Sequence, residues 1–277
     1  MVMSKKVKGT LFYCVIVSFV GSMALPFLWL FLSSIKTRKE LFTVPVRILP
    51  SSIQWENYVE VFKSQPFAAY VINSGVTSVI ATLLVITIAC MASYSLARVK
   101  MRGKSIFMAA MLSISLLPPV TLLNPIYKML SAAHLLNTPL GLAIAISAIE
   151  LPMAVWFLTG YFESIPMELE ESSMLDGATL GQTFLKIILP LVSPGVFTIS
   201  ILVFINAWNN YLFALVFNPL PKSRTVTVAI TLFQSDYSVP WEVITAAAVM
   251  ITAPLILVVL ILQKRIISGM MEGGVKG

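Results

Sequence analysis

Charge is what this chain has least of. Asp, Glu, Lys and Arg supply 11 % of its 277 residues, where a soluble domain would carry about a quarter. Apolar residues supply 58 % and the mean hydropathy is +0.91. The deficit runs the whole length, so an integral membrane protein throughout, without an appended soluble domain, is expected. Cysteine is scarce as well. Cys14 and Cys90 lie inside apolar segments with no CxxC spacing and no histidine beside them, so neither a disulfide framework nor a metal site follows. The single histidine, His134, falls in a loop without a companion ligand and reads as a surface residue. Gly103-Lys104-Ser105 resembles the end of a phosphate loop, but a Walker A motif requires glycine where Arg98 stands. Nucleotide binding by this chain is therefore not expected. No internal repeat is visible.

Long apolar runs are what the chain does have. A bilayer core takes about 20 apolar residues as a helix, and six stretches qualify: 10–35, 69–97, 106–130, 140–161, 192–217 and 243–262. The first follows Lys5, Lys6 and Lys8 in the manner of a secretory signal. It is far longer than a signal's apolar region of about 7–15 residues, so it reads as an uncleaved span. Prolines 26, 118, 119, 125, 152 and 254 lie inside these stretches and predict kinked, packed helices. The net charge of +7 comes from short basic clusters beside apolar runs, which suit anionic lipid headgroups rather than nucleic acid. Eleven Lys and Arg fall to one side and eight to the other, so the positive-inside bias puts both termini in the cytoplasm. Between the first two spans, Trp55-Glu-Asn-Tyr58 with Val61-Phe62 predicts a short amphipathic helix at the interface. Residues 225–232 read as a β-rich run in a second outer loop. The expected fold is an all-α integral membrane protein of six transmembrane helices with a cytoplasmic helix–turn–helix loop.

That loop is the most informative segment. Five of the twelve acids, Glu163, Glu168, Glu170, Glu171 and Asp176, fall between the fourth and fifth spans, where basic residues are the rule on a cytoplasmic face. Pro166 suits the first turn of a helix, Asp176-Gly177 suits its end, and Thr179 with Gln182 has capping-box spacing for a second helix. Read from these residues alone, the segment is either a solvated amphipathic loop or a surface built to dock a partner.

The pattern Glu171-Ser-Ser-x-x-x-Gly177, nine residues, then Ile187-x-Leu189-Pro190 resembles the EAA loop of bacterial ABC-importer permeases. Ile165-Pro166, Asp176-Gly177-Ala178 and Pro194 extend the likeness, with Ser172 and Ser173 in place of the two alanines. Further matching pieces are Trp55-Glu-Asn-Tyr58, Asn73-Ser74, Ala92-Ser-Tyr94-Ser-Leu-Ala97-Arg98, Ala207-Trp208-Asn209-Asn210-Tyr211 and the tail Gly273-Gly274-Val275-Lys276-Gly277. They make the whole chain resemble carbohydrate-importer permeases, in form the smaller permease subunit of the maltose importer. The resemblance implies a single transmembrane domain over 1–277, with the loop 163–190 as a coupling helix. Glu170, Glu171, Ser172, Ser173, Asp176, Gly177 and Ala178 would then meet a cytoplasmic ATPase, Glu171 pairing with one of its basic residues. The tail, 266–277, would reach the ATPase subunits through Gly274, Val275, Lys276 and Gly277, or it is simply a frayed end. ATP and Mg would be bound by two copies of that ATPase and not by this chain. A second permease, an extracytoplasmic solute-binding protein and membrane lipid complete the implied partners.

Polar residues inside the spans are candidates for a substrate path. Glu150 lies about halfway along the fourth span, where an ionisable side chain suggests function by default; it is either a pore acceptor for hydroxyls or a packing residue. Asn206 and Asn210 are four apart on the fifth span, which would put them on one helix face beside Asn209. These amides suit sugar hydroxyls or bonds between helices, and Asn73 and Asn124 are similar. Trp208 and Tyr211 read as interface-belt anchors. A glycerol-phosphate importer would share the loop but would want cations on its path. A secondary transporter would show inverted repeats, and an intramembrane enzyme a catalytic pair. A carbohydrate importer permease, of itself no enzyme, fits these residues best.

Overall fold

The computed structural model describes residues 5–234 and 239–274, with side chains at 12–234 and 239–262. It is helical, with no strand among those residues. Contacts divide the chain into two units: residues 1–67 with 230–254, and residues 68–229 with 255–277.

The first unit begins with α1, Lys5–Ser34. No residue in the most apolar window of Phe12–Ser34 is buried. A helix apolar on every side whose surface is left this open suits hydrocarbon. The carbonyls that end such a helix have no partners within it. Here Asn57 supplies them, its Nδ2 donating to Ser34 O at 2.9 Å and Lys36 O at 3.0 Å. Asn57 stands on α3, Glu56–Ser64, the short helix predicted between the first two spans; Val61 is its buried residue. Between them lies α2, Arg38–Leu41, opened by a capping box of Thr37 and Glu40. The Glu40 carboxylate accepts from Thr37 N at 3.0 Å, from Ser51 N at 2.8 Å and from the Ser51 hydroxyl. These donors, the Ser51 hydroxyl foremost, hold its pKa down at about 2. Lys36 is buried, with Nζ 2.6 Å from Arg47 O and 4.5 Å from the Trp29 ring centroid.

The second unit opens with α4, Phe67–Arg98. Gly103 then turns the chain with φ +85° into α5, Lys104–Ser115. The third apolar stretch is not one kinked helix as expected. It breaks after Ser115, passes through a tight turn at Pro119–Leu122 and resumes as α6, Leu123–Ala132, with a bend of 93° across the break. Adjacent Pro118 and Pro119 account for this, since both lack an amide proton and the first is itself driven out of helical geometry by the second. The fourth stretch is α7, Pro139–Glu163, capped by Thr138.

After it come α8, Glu168–Leu175, and α9, Leu180–Thr183. A π-turn at Phe184–Ile188 leads on to α10, Leu189–Leu191. A 75° bend follows, and then α11, Ser193–Trp208. Gly195 permits that packing, because a Cβ there would lie 2.6 Å from the Tyr161 ring. The fifth stretch ends earlier than predicted. Asn209 and Asn210 break it, and α12 runs over Leu212–Phe217.

Residues 225–232 correct another expectation. They form α13, Val226–Ala229, and a tight turn at Ile230–Phe233, not a strand. Their β-branched side chains favour a pleated sheet, but no sheet edge is offered among the described residues. Ala229 N bonds Thr225 O at 2.9 Å within the turn and Val226 N bonds Ser74 Oγ of α4 at 3.0 Å, so these amides are satisfied without a sheet. The last helix, α14, is Trp241–Gly274. Among the described residues four helices are long and apolar enough to cross a membrane, or up to six if each bent pair counts as one span. The buried core of this unit lies around Leu142, Ile146 and Phe213 at one level and Leu158, Phe162 and Ile188 at another.

Candidate functional site

Local chemistry builds the loop after α7. Glu168, Glu170 and Glu171 occupy the first turn of α8, where a carboxylate favours the positive end of the helix dipole. The helix ends in a Schellman motif: Ala178 N bonds Ser173 O at 3.0 Å and Gly177 N bonds Met174 O at 3.0 Å. Gly177 takes φ +87°, the left-handed conformation that this motif demands. Thr179 and Gln182 then form a complete capping box, with Thr179 N to Gln182 Oε1 at 2.9 Å and Gln182 N to Thr179 Oγ1 at 3.4 Å. The two short helices are tied together by the Ser173 and Thr183 hydroxyls, 2.8 Å apart.

The loop has two chemically different sides. Glu170 is buried, and its carboxylate accepts from Arg98 Nε at 2.5 Å and from the Tyr94 hydroxyl at 2.9 Å. Arg98 also donates to Phe162 O at 3.0 Å and Ile165 O at 3.2 Å. Those carbonyls belong to the end of α7 and the turn beyond it, so one guanidinium joins the ends of α4 and α7 to the start of α8. Beneath it Tyr94 packs against Phe162 and Phe184, with ring centroids 5.8 and 4.9 Å apart. Lys104 and Glu163 make a second, more exposed ion pair at 2.7 Å. On the other side Glu171, Ser172, Asp176 and Gly177 are exposed, and Leu175 is 88 % exposed. The seven loop residues singled out in the sequence therefore divide. Glu170 and Ser173 bind this chain's own residues, Ala178 is half-buried, and the remaining four face outward.

The polar residues of the spans divide too. Asn206 Nδ2 donates to Glu150 Oε2 at 3.0 Å, linking α11 to α7. Asn73 Nδ2 donates to Lys222 O and Arg224 O, both at 3.0 Å, and so fastens the segment after α12 to α4. Asn210 does not share a helix face with Asn206, because α11 ends at Trp208. Its Oδ1 accepts from Phe213 N at 3.1 Å and starts α12 instead. Asn124 and Asn209 are exposed. Trp208 is buried, against the expectation of a belt anchor, while Tyr211 is 41 % exposed.

The residues that sequence reasoning missed are Arg98 and Tyr94. Their signal was present, since an arginine closing an apolar span sits beside a tyrosine four residues earlier. Asn137 was missed as well. It takes φ 58° and its Oδ1 receives Leu220 N at 3.2 Å and the Ser223 hydroxyl at 3.3 Å. Of the implied tail contacts, Gly274 ends α14, while Val275, Lys276 and Gly277 lie outside the described residues. The described residues bring no three His, Cys, Asp or Glu side chains together as a metal site.

Known proteins resemble the chain over nearly its full length. It is 37 % identical over 252 residues to the sulfoquinovosyl glycerol transport system permease protein SmoH of Agrobacterium fabrum, covering 91 % of this chain and 88 % of that one. The trehalose transport system permease protein SugB of Mycobacterium tuberculosis is 37 % identical over 260 residues, covering 93 % and 94 %. The trehalose/maltose transport system permease protein MalG of Thermococcus litoralis is 34 % identical over 255 residues, covering 91 % of each. In fold, it superposes with a TM-score of 0.79 on a chain of a bacterial ABC transporter involved in the import of the acidic polysaccharide alginate. That likeness covers 95 % of this chain and 99 % of the other at 22 % identity. Residues 86–272, which hold the acidic loop and the Glu150–Asn206 pair, match the family described as binding-protein-dependent transport system inner membrane component. The chain belongs to that family of transport permeases.

Proposed function

We propose that the chain is one of two membrane subunits of an ATP-driven importer for a carbohydrate, forming half of the translocation path. The observation that carries this reading is the two-sided loop. Its inner side is fixed to the ends of α4 and α7 through Arg98 and Glu170. Its outer side leaves Glu171, Ser172, Asp176 and Leu175 without cover. A short rigid helix held in this way passes a push on its outer face to the helices behind it as rigid-body motion. The push comes from two copies of a cytoplasmic ATPase that bind ATP and Mg. Glu171, placed at the exposed start of α8, makes a charge-assisted contact with a basic residue of that subunit and sets the register.

In this reading six spans cross the membrane, the fifth starting after the loop 163–190, with both termini and that acidic loop in the cytoplasm. A second permease supplies the other half of the path, and an extracytoplasmic binding protein delivers the substrate. The carbohydrate class is supported by relatives whose names carry trehalose and maltose. The test is gentle purification of the tagged chain with mass spectrometry of what accompanies it. Recovery of an ATPase and a second permease is the expected result. A chain that elutes alone and moves solute in liposomes without ATP is a secondary transporter, and the importer reading then fails.

A further inference from the structure

Glu150 is the one acid placed well inside an apolar helix of the second unit, on α7 with its side chain half-buried. Among the described residues it makes no ion pair. Its hydrogen-bond partner there is an amide, Asn206 Nδ2, donated from α11 at 3.0 Å. Asn206 is itself exposed, and so is Asn209 three positions later at the end of the same helix. A half-buried carboxyl beside two exposed amides is poorly suited to lipid, where one mutual hydrogen bond offsets only part of the cost of their polar groups. They are well suited to water and to hydroxyls. With one Asn206 N–H engaged, the pair still presents a second N–H, the Asn206 Oδ1 and the other Glu150 oxygen. That alternation of donor and acceptors matches neighbouring hydroxyls on a sugar ring.

We infer that Glu150 and Asn206 form a contact point on a water-filled path, where hydroxyls of an uncharged carbohydrate are bound and anionic sugars are repelled. The inference rests on the reading of the chain as a carbohydrate-importer permease and narrows it to neutral substrates. It sets this chain apart from the structural relative whose transporter imports an acidic polysaccharide.

A test that requires no knowledge of the sugar uses thiol reagents of opposite charge on the complete importer in native membranes. With Cys14→Ser and Cys90→Ala as background, Asn206→Cys introduces one thiol. A cationic trimethylammonium methanethiosulfonate and its anionic sulfonate analogue are then compared, each normalised to its rate with a free thiol. The expected result is labelling, in the nucleotide-free or the ATP-bound state, with the cation favoured by roughly tenfold. Adding Glu150→Gln should return the ratio close to one. Should Asn206→Cys fail to accumulate, Asn209→Cys on the same exposed face gives the same readout. No labelling in either state means that the pair is packed against lipid or the second permease, and the inference falls. Labelling with a charge ratio indifferent to Glu150→Gln overturns the selectivity. Whether ATPase subunits accompany the same preparation is scored separately, so loss of the importer assignment and loss of this contact point remain distinguishable.

Discussion

Arg98, the last residue of α4, and Glu170, in the first turn of α8, meet at 2.5 Å although 72 positions separate them in sequence. Both side chains are nearly closed off, at 11 % and 8 % exposure. Removing one partner of such a pair leaves the other charge uncompensated, which is more damaging than losing both. Glu170→Ala should therefore lower the stability of the purified chain by about 3 kcal/mol. Thermal unfolding in detergent checks it. An unchanged midpoint would show that the link is dispensable.

Glu171→Ala should behave in the opposite way. The side chain is exposed and bonds nothing in the described chain, so stability should change by no more than about 0.5 kcal/mol. Recovery of the ATPase with the chain, or the dependence of transport on its turnover, should drop. Wild-type coupling in Glu171→Ala would remove this residue from the proposed docking surface.

Arg98→Lys keeps the charge but not the fork. Lysine cannot serve Glu170, Phe162 O and Ile165 O with the geometry that the guanidinium achieves. A loss of about 1–2 kcal/mol is expected, smaller than for Glu170→Ala. Hydrogen exchange should rise at the amides of 165–176, and equal protection in both proteins would refute the junction.

Gly177→Ala places a side chain at φ +87°, a conformation that costs an L-residue about 1–2 kcal/mol. The space around it is open, so the effect is on the backbone turn alone. Gly177→Asn, which tolerates this region better, should recover part of the loss. Equal midpoints for the two variants would contradict this.

The loop between α1 and α3 should hold together until strongly acid conditions. Glu40 has its pKa lowered from 4.5 to about 2 by Ser51 and Thr37. Its contribution to stability is fully present above the ordinary carboxylate range and is lost as pH falls through about 2. Fluorescence of Trp29 and Trp55 followed from pH 7 to pH 2 should stay level at first and change only toward the acid end. A transition near pH 6 would rule this assignment out.

What the sequence disclosed was mostly local. Gly177 and the Thr179–Gln182 spacing act within a few residues, and the structure holds the turn and the cap where they indicate; Pro166 instead lies ahead of the helix, which starts at Glu168 after Met167. The helix at 56–64 was legible for the same reason. The Arg98–Glu170 junction was not, because no periodicity links residues so far apart. Residues 225–232 misled because β-branched side chains express a preference for a sheet, and the amides found a helical turn and Ser74 instead. Trp208 was misjudged on its place near the end of a span. An aromatic there suits a headgroup belt, but α11 buries it, and the Asn209–Asn210 break then starts α12. Proline number predicted bending in the third stretch, yet not a 93° turn, which takes two consecutive prolines.

The open surface of α1 decides what the protein needs once it leaves the bilayer. No residue in the apolar window of Phe12–Ser34 is buried, and a large uncovered apolar surface in water drives association. Detergent or lipid therefore has to take the place of hydrocarbon along this helix, and thinning the detergent below what covers it should cause the extracted chain to aggregate.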